Sequence, residues 1–258
     1  MNKIRNYFVN GFIAITVLVL VLQIQGCDTN STNPNGSTVS LSFATSNSLN
    51  KTNYTSIELD TVKILIRDVK LENEFDSSEY ESLSKMYSDG DHYRSEYVKV
   101  GPFVVYLNLA GVTTDFAVNN IPAGSYDEIK FKIHQLEASE VPPDPEFKDG
   151  DDESQRYSVI VKGTYNSEPF IYKSRKSAHQ KIRLDSLLQV EENSVTNLTI
   201  TVDPNTWFMN GDTELDPTDS TNSYIIDNNI ARSFSGAFKD DNHDGKCDDN
   251  QYGEHHHH

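Results

Sequence analysis

The stretch EIKFKIH, residues 128–134, decides the fold class, because its side chains alternate between apolar and polar or charged. Ile129, Phe131 and Ile133 share one parity, while the two lysines and His134 share the other. Successive side chains of a β-strand point to opposite faces, so this pattern is typical of a half-buried strand. On this reading His134 belongs to a solvated strand face and is not a catalytic base.

The same period of two recurs along the chain on both sides of this strand. It predicts strands at 39–43, 62–71, 97–100, 104–109, 157–165, 169–172, 182–184 and 198–202. Within 62–71 the apolar parity slips by one residue, which predicts a bulge near Arg67-Asp68. Residues 166–168 predict a hairpin turn. About seven to nine short strands without a long helical period indicate an all-β antiparallel sandwich or barrel. We predict the sandwich, of immunoglobulin-like or transthyretin-like type.

The predicted β domain spans 38–204 and is followed by an extension at 205–238. In that extension Ile226, Ile230, Phe234 and Phe238 lie four apart, which predicts one amphipathic helix over 226–238. Two polar insertions interrupt the domain, at 73–94 and 137–153. The second holds eight acids, one lysine and three prolines, so we expect a mobile loop without a core of its own.

The N-terminus predicts a secretion signal. Lys3 and Arg5 precede an apolar block of about eleven residues, whereas a membrane-spanning helix needs roughly 20. The sequence Ile24-Gln25-Gly26-Cys27 that follows resembles the lipobox of bacterial lipoproteins, with Gln25 in place of the usual small residue. We therefore predict a signal peptide at 1–26, a lipid on Cys27 and a flexible tether at 27–37. The alternative is an uncleaved signal anchor with an incidental cysteine.

The net charge of the chain limits the kinds of molecule that it can bind. The chain of 258 residues has 39 acidic and 22 basic residues and a net charge of −17. Such a surface repels phosphate backbones and anionic lipid heads, so we expect no nucleic acid partner. Contact with a membrane is then expected through the lipid on Cys27. The predicted location is the bacterial cell envelope, at the outer membrane or cell surface.

Four segments carry a family resemblance: STVSLSF (37–43), SIELDTVKILIRDVKLE (56–72), VYLNLAGVTTDFAVNNIPAGSYDEIKFKI (105–133) and KIRLDSLLQVEENSVTNLTITVDP (181–204). Together they resemble, over about 38–204, the bacterial lipoproteins grouped as domain of unknown function 4382, of Bacteroidetes-type organisms. The IPAGSY turn at 121–126 is the most specific part, and we expect Gly124 to supply an unusual turn angle. Ala44-Thr45-Ser46 departs from the Asp-Ala-Pro of the family. The resemblance implies a β-sandwich in a lipoprotein and no catalytic residue.

A search for catalytic motifs finds no nucleophile elbow, phosphate loop or zinc-protease signature. We therefore predict a non-enzymatic binding or structural module, whose partner is an unknown protein or glycan. The alternative is a glycan-processing hydrolase that uses a carboxylate pair on the sandwich. Trp207-Phe208 is either a sugar-stacking platform or, more commonly, a core edge.

One pattern suggests a cofactor, and that cofactor is calcium. Asp240, Asn242 and Asp244 occupy positions 1, 3 and 5 of a calcium-type loop with Gly at position 6. The Lys246 carbonyl and Asp248 would supply positions 7 and 9. Gln251 stands where a bidentate acid is usual, so the alternative is a solvated acidic tail over 239–258. The terminal His255 to His258 is either a shortened purification tag or a native metal-binding tail.

Overall fold

The computed structural model describes residues 37–45, 54–72, 101–109 and 114–248, without the side chains of 114–120. The strands, in chain order, are β1 (Ser37–Thr45), β2 (Ile57–Glu72), β3 (Phe103–Leu107), β4 (Thr114–Ile121), β5 (Gly124–Ile133), β6 (Val159–Tyr165), β7 (Glu168–Ser174), β8 (Ala178–Val190), β9 (Val195–Val202), β10 (Met209–Asn210), β11 (Thr213–Glu214) and β12 (Phe234–Lys239). The α-helix described, α1, is Ser223–Arg232. The all-β prediction is confirmed.

Ten of these strands form one sheet. The order is β4-β1-β9-β12-β8-β5-β2-β6-β7, with β3 on a further edge of β2, and β10 pairs with β11 separately. Two pairings are parallel, β1 with β9 and β12 with β8, so a strictly antiparallel sheet was the wrong prediction. Parallel neighbours need long connections, and the strands of both pairs are far apart in sequence. Hairpin signals in the sequence do not reveal such pairs.

The sheet curls around its apolar face. The Phe43 ring on β1 meets Phe131 on β5 and Phe234 on β12 edge-on, with centroids 6.1 and 6.4 Å apart. Since β1 and β5 are not neighbours in the sheet, the contact shows that the two halves of the sheet face each other. Alternate residues of the strands fill the space between them, including Ile64, Ile129 and Ile200, all fully buried. The alternation read from the sequence therefore identified the core side correctly.

The local irregularities agree with the sequence, with one exception. The register between β2 and β5 shifts between Arg67 and Lys70, and Asp68 has a φ of 57°, which confirms the bulge. Asn166 and Ser167 connect β6 to β7 with φ of 51° and 68°, as in a two-residue type I′ hairpin. Gly124 lies at the predicted turn but is not among the residues with positive φ, so the expected special angle is absent there.

The predicted helix over 226–238 is wrong in its second half. The helix ends at Arg232, and Phe234–Lys239 forms β12 between β9 and β8. A spacing of four residues places side chains on one face of a helix, and because four is even, also on one face of a strand. In β12 a register shift between Phe234 and Gly236 interrupts this alternation, so Phe234 pairs with the core residue Val202 and Phe238 with the outward Thr199. Both side chains are buried, on opposite faces of the strand.

Several predictions concern residues outside the described ranges: the signal peptide 1–26, Cys27, the tether up to residue 36, the insertion 73–94, the strand 97–100 and the tail from residue 249. These stay predictions. Among the residues that the structure describes, no helix has the length and apolar character needed to cross a membrane.

Candidate functional site

The predicted calcium loop follows β12 and is fixed to the sheet by its first residue. The N–H of Asp240 donates to the Asn197 carbonyl at 3.0 Å. Its side chain is fully buried, and the Thr199 hydroxyl donates to Oδ2 at 2.8 Å. Asn197 and Thr199 belong to β9 and have the parity opposite to the core residues. The loop therefore covers the outer face of the sheet beside β1.

Within the loop, the side chains at positions 1, 3 and 5 all turn inward to main-chain donors. Asp240 accepts the N–H of Asp244 and of Gly245, each at 3.0 Å. Asn242 Oδ1 accepts from Asp244 N–H, and Asp244 Oδ1 from Lys246 N–H, both at 2.9 Å. Gly245 has a φ of +75°, a conformation that glycine adopts without strain. The loop glycine thus lies at a sharp turn of the backbone.

The carboxylates of this loop are not gathered around one point. Asp248 Oδ2 accepts the N–H of Asp241 at 2.6 Å, which closes the loop. Asp240, Asp244 and Asp248 do not form a group of ligand atoms within 4.8 Å of one another. The segment before the loop, predicted to be the end of a helix, is the strand β12. The structure thus brings the predicted residues into one loop without assembling a complete ligand set.

The acidic insertion 137–153 is packed on the sheet, contrary to the expected mobile loop. Phe147 is fully buried in a second apolar cluster with Leu65, Leu136 and Ile160. Leu65 and Ile160 lie on the face of β2 and β6 that points away from the main core. Tyr157 N–H donates to the Phe147 carbonyl at 2.9 Å. One aromatic side chain therefore anchors a segment that its acidic composition alone would place in solvent.

Four outward cations of the underlying strands β2, β6 and β7 have an acid of this segment as partner. The pairs are Lys63–Asp144 at 2.6 Å, Arg67–Glu140 at 2.7 Å, Lys162–Glu146 at 2.8 Å and Lys173–Asp149 at 2.7 Å. Burial by itself would raise the pKa of Asp144, but hydrogen bonds, first among them that from Lys63, hold this pKa below its ordinary value. The acids thus neutralise a basic sheet face.

His134 lies under the same segment, and the expected solvated position is wrong. Its parity is outward as the sequence indicated, but the segment covers it, and its side chain is only 2% exposed. Nε2 lies 2.6 Å from Glu140 Oε2. Together with Glu137, these residues form the one group of three potential metal ligands among the described residues. The spacing of three between 134, 137 and 140 was the only sequence signal for this cluster.

The aromatic residues that suggested a glycan platform are buried in the described part of the chain. Trp207 and Phe208 are both fully buried, so they are a core edge and not a sugar platform. Phe208 packs edge-on against Tyr172, with centroids 5.7 Å apart. The carboxylates of Asp144 and Glu146 both contact Lys63, at 2.6 and 3.4 Å. This one pair does not test the hydrolase alternative, which stays a prediction.

Comparison of the chain with known protein families, curated proteins and solved structures found no match. The resemblance to the domain of unknown function 4382 therefore stays a prediction.

Proposed function

We propose that this chain is a lipid-anchored, non-enzymatic module of the bacterial cell envelope, at the outer membrane or cell surface, with a calcium-binding loop at 240–248. The anchor is supported by the lipobox-like sequence that ends at Cys27. The proposed partner is a protein or a glycan and not a nucleic acid, because the chain has a net charge of −17. In this proposal the two opposed halves of the curled sheet correspond to the two sheets of an immunoglobulin-like or transthyretin-like sandwich.

The observation that supports calcium is the position of Asp240. Asp240 is the first residue of the loop, and its buried carboxylate accepts a hydrogen bond from Thr199. Among the residues that the structure describes, no ion pair involves this carboxylate. A carboxylate has about four lone-pair sites, so Asp240 and Asp244 can keep their N–H bonds and still bind a cation. Asn242 and the Lys246 carbonyl complete an oxygen set of the kind that Ca²⁺ prefers. Because these oxygens are not yet gathered, we expect weak binding, about 10⁻⁴–10⁻³ M.

Titration calorimetry with Ca²⁺ tests the loop, in a chain with His255 to His258 replaced by alanine. The double variant Asp240→Ala, Asp244→Ala should abolish the heat of binding. Asp244→Ala alone changes an exposed side chain, so it should weaken binding without disturbing the sheet. At ten times Kd, calcium should add only about 1.4 kcal/mol, confined to the loop.

The matched control is Asp151→Asn with Asp152→Asn, two exposed acids of the other acidic segment. This control should bind Ca²⁺ as the unsubstituted chain does. Equal heats in the unsubstituted chain and in the Asp240, Asp244 double variant would show that the loop is only an acidic tail.

The anchor is tested in a host that has lipoprotein processing. The mature protein should begin at Cys27, carry lipid and fractionate with membranes, and Cys27→Ala should release it into the soluble fraction. The measurements are the intact mass and the distribution between the two fractions. An intact mass that still includes residues 1–26 would contradict the proposal.

A further inference from the structure

We infer that His134, Glu137 and Glu140 form a second metal site, for a divalent transition-metal ion of the Zn²⁺ type. One ligand atom from each residue lies within 4.8 Å of the other two. Imidazole nitrogen and carboxylate oxygen are both zinc ligands, and in sites with three protein ligands a water molecule takes the fourth position. Calcium prefers oxygen ligands alone, so this site differs in kind from the loop at 240–248.

The backbone holds the three residues in place. The His134 N–H donates to the Leu65 carbonyl at 2.9 Å, which fixes the histidine to β2. The Glu140 N–H donates to the Glu137 carbonyl at 3.1 Å, so a turn brings the two glutamates together. Phe147 anchors the rest of the segment to the sheet. The three ligand residues therefore belong to backbone that is hydrogen-bonded and packed against the sheet.

The Glu140 carboxylate is oriented by groups that a metal need not displace. Arg67 donates to Oε1 at 2.7 Å, and the Glu137 N–H donates to Oε2, also at 2.7 Å. Hydrogen bonds of this kind orient ligating carboxylates in metal sites. A lone pair of Oε2 remains on the side of His134. Arg67 thus acts as an outer partner of the ligand.

The charge balance favours a divalent cation. Three carboxylates, those of Asp68, Glu137 and Glu140, contact a single guanidinium, that of Arg67, at 3.5, 3.6 and 2.7 Å. With a neutral imidazole this group has two uncompensated negative charges. The Glu137 side chain is 64% exposed, so an ion can reach the group from solvent. A bound Zn²⁺ would neutralise the group.

Metal binding requires three small changes: the His134–Glu140 pair opens, the ring hydrogen of His134 moves, and the Glu137 side chain turns. His134 Nε2 and Glu140 Oε2 are 2.6 Å apart, at hydrogen-bonding distance. Bonds of about 2.0–2.1 Å in a tetrahedral site put two ligands roughly 3.3 Å apart, so the pair must open by about 0.7 Å. The ring hydrogen must then lie on Nδ1, which has no hydrogen-bond partner among the described residues. Glu137 turns its exposed carboxylate inward to complete the set.

Calorimetric titration with Zn²⁺ tests this site, again with His255 to His258 replaced by alanine so that the tail does not compete. Glu137→Gln changes an exposed carboxylate and should preserve the fold, yet it should lower the Zn²⁺ affinity at least tenfold. Asp151→Asn, in the same segment and 90% exposed, is the matched control and should bind as before. The Asp240→Ala, Asp244→Ala variant should also retain Zn²⁺, which separates this site from the calcium loop.

A second readout follows the imidazole directly. In ¹⁵N NMR spectra, Zn²⁺ should shift the His134 Nε2 resonance, and Co²⁺ should give visible absorption bands with nitrogen ligation. Equal Zn²⁺ affinity in Glu137→Gln and the unsubstituted chain would overturn the proposal. An unchanged His134 resonance at saturating Zn²⁺ would do so as well.

Discussion

The packing of the acidic segment 137–153 leads to a prediction with a definite magnitude. Phe147 is fully buried between the segment and the outer face of the sheet, in contact with Leu65, Leu136 and Ile160. Replacement of a buried phenylalanine by alanine costs about 3–5 kcal/mol, from lost burial and the cavity that remains. We expect Phe147→Ala to lower the free energy of unfolding by this amount, or by less if the segment detaches first. In that case the loss equals the free energy that docks the segment.

Two assays measure the effect. Urea denaturation gives the change in unfolding free energy, and hydrogen exchange with mass spectrometry shows whether 137–153 loses protection before the sheet does. Val141→Ala is the control, because Val141 lies in the same segment and is 85% exposed. It should change the free energy of unfolding by less than about 0.5 kcal/mol. If Phe147→Ala is as mild as Val141→Ala, the segment is not anchored as described.

Two further predictions concern ion pairs and the helix. Hydrogen bonds outweigh burial and keep the pKa of Asp144 and of Glu140 below the ordinary values. A carboxyl whose folded pKa is lowered stabilises the fold above its unfolded pKa of about 4 and loses that effect as the pH falls through the folded pKa. The carboxyl ¹³C signals of Asp144 and Glu140 should therefore titrate with midpoints below the ordinary values of about 4, and midpoints above those values would contradict this. Tyr172→Phe removes a hydroxyl that donates to Asp227 Oδ1 at 2.7 Å on α1, and should cost about 1–3 kcal/mol in urea denaturation. Tyr224→Phe, 76% exposed, should have no measurable effect, and equal results for the two variants would refute the role of this bond.

The loop at 240–248 shows how much of a candidate site the local sequence predicts. Asp240, Asn242 and Asp244 turn into one loop because their side chains bond to N–H groups only two to five residues away. Such short-range bonds depend on residue type and spacing, which the sequence shows. The support from Thr199 did not follow from the sequence, because it comes from a strand 41 residues away.

The sequence by itself determined the features that depend on neighbouring residues. The alternation of EIKFKIH specified a strand and its core face, and the parity slip at Arg67-Asp68 specified a bulge, since side-chain direction follows the backbone period. Only the tertiary structure decided what lies against each face. Phe234 and Phe238 became a strand because a place between β9 and β8 was open to them. His134 became buried because Phe147 docks the acidic segment over an outward face that the sequence, in itself, assigned to solvent.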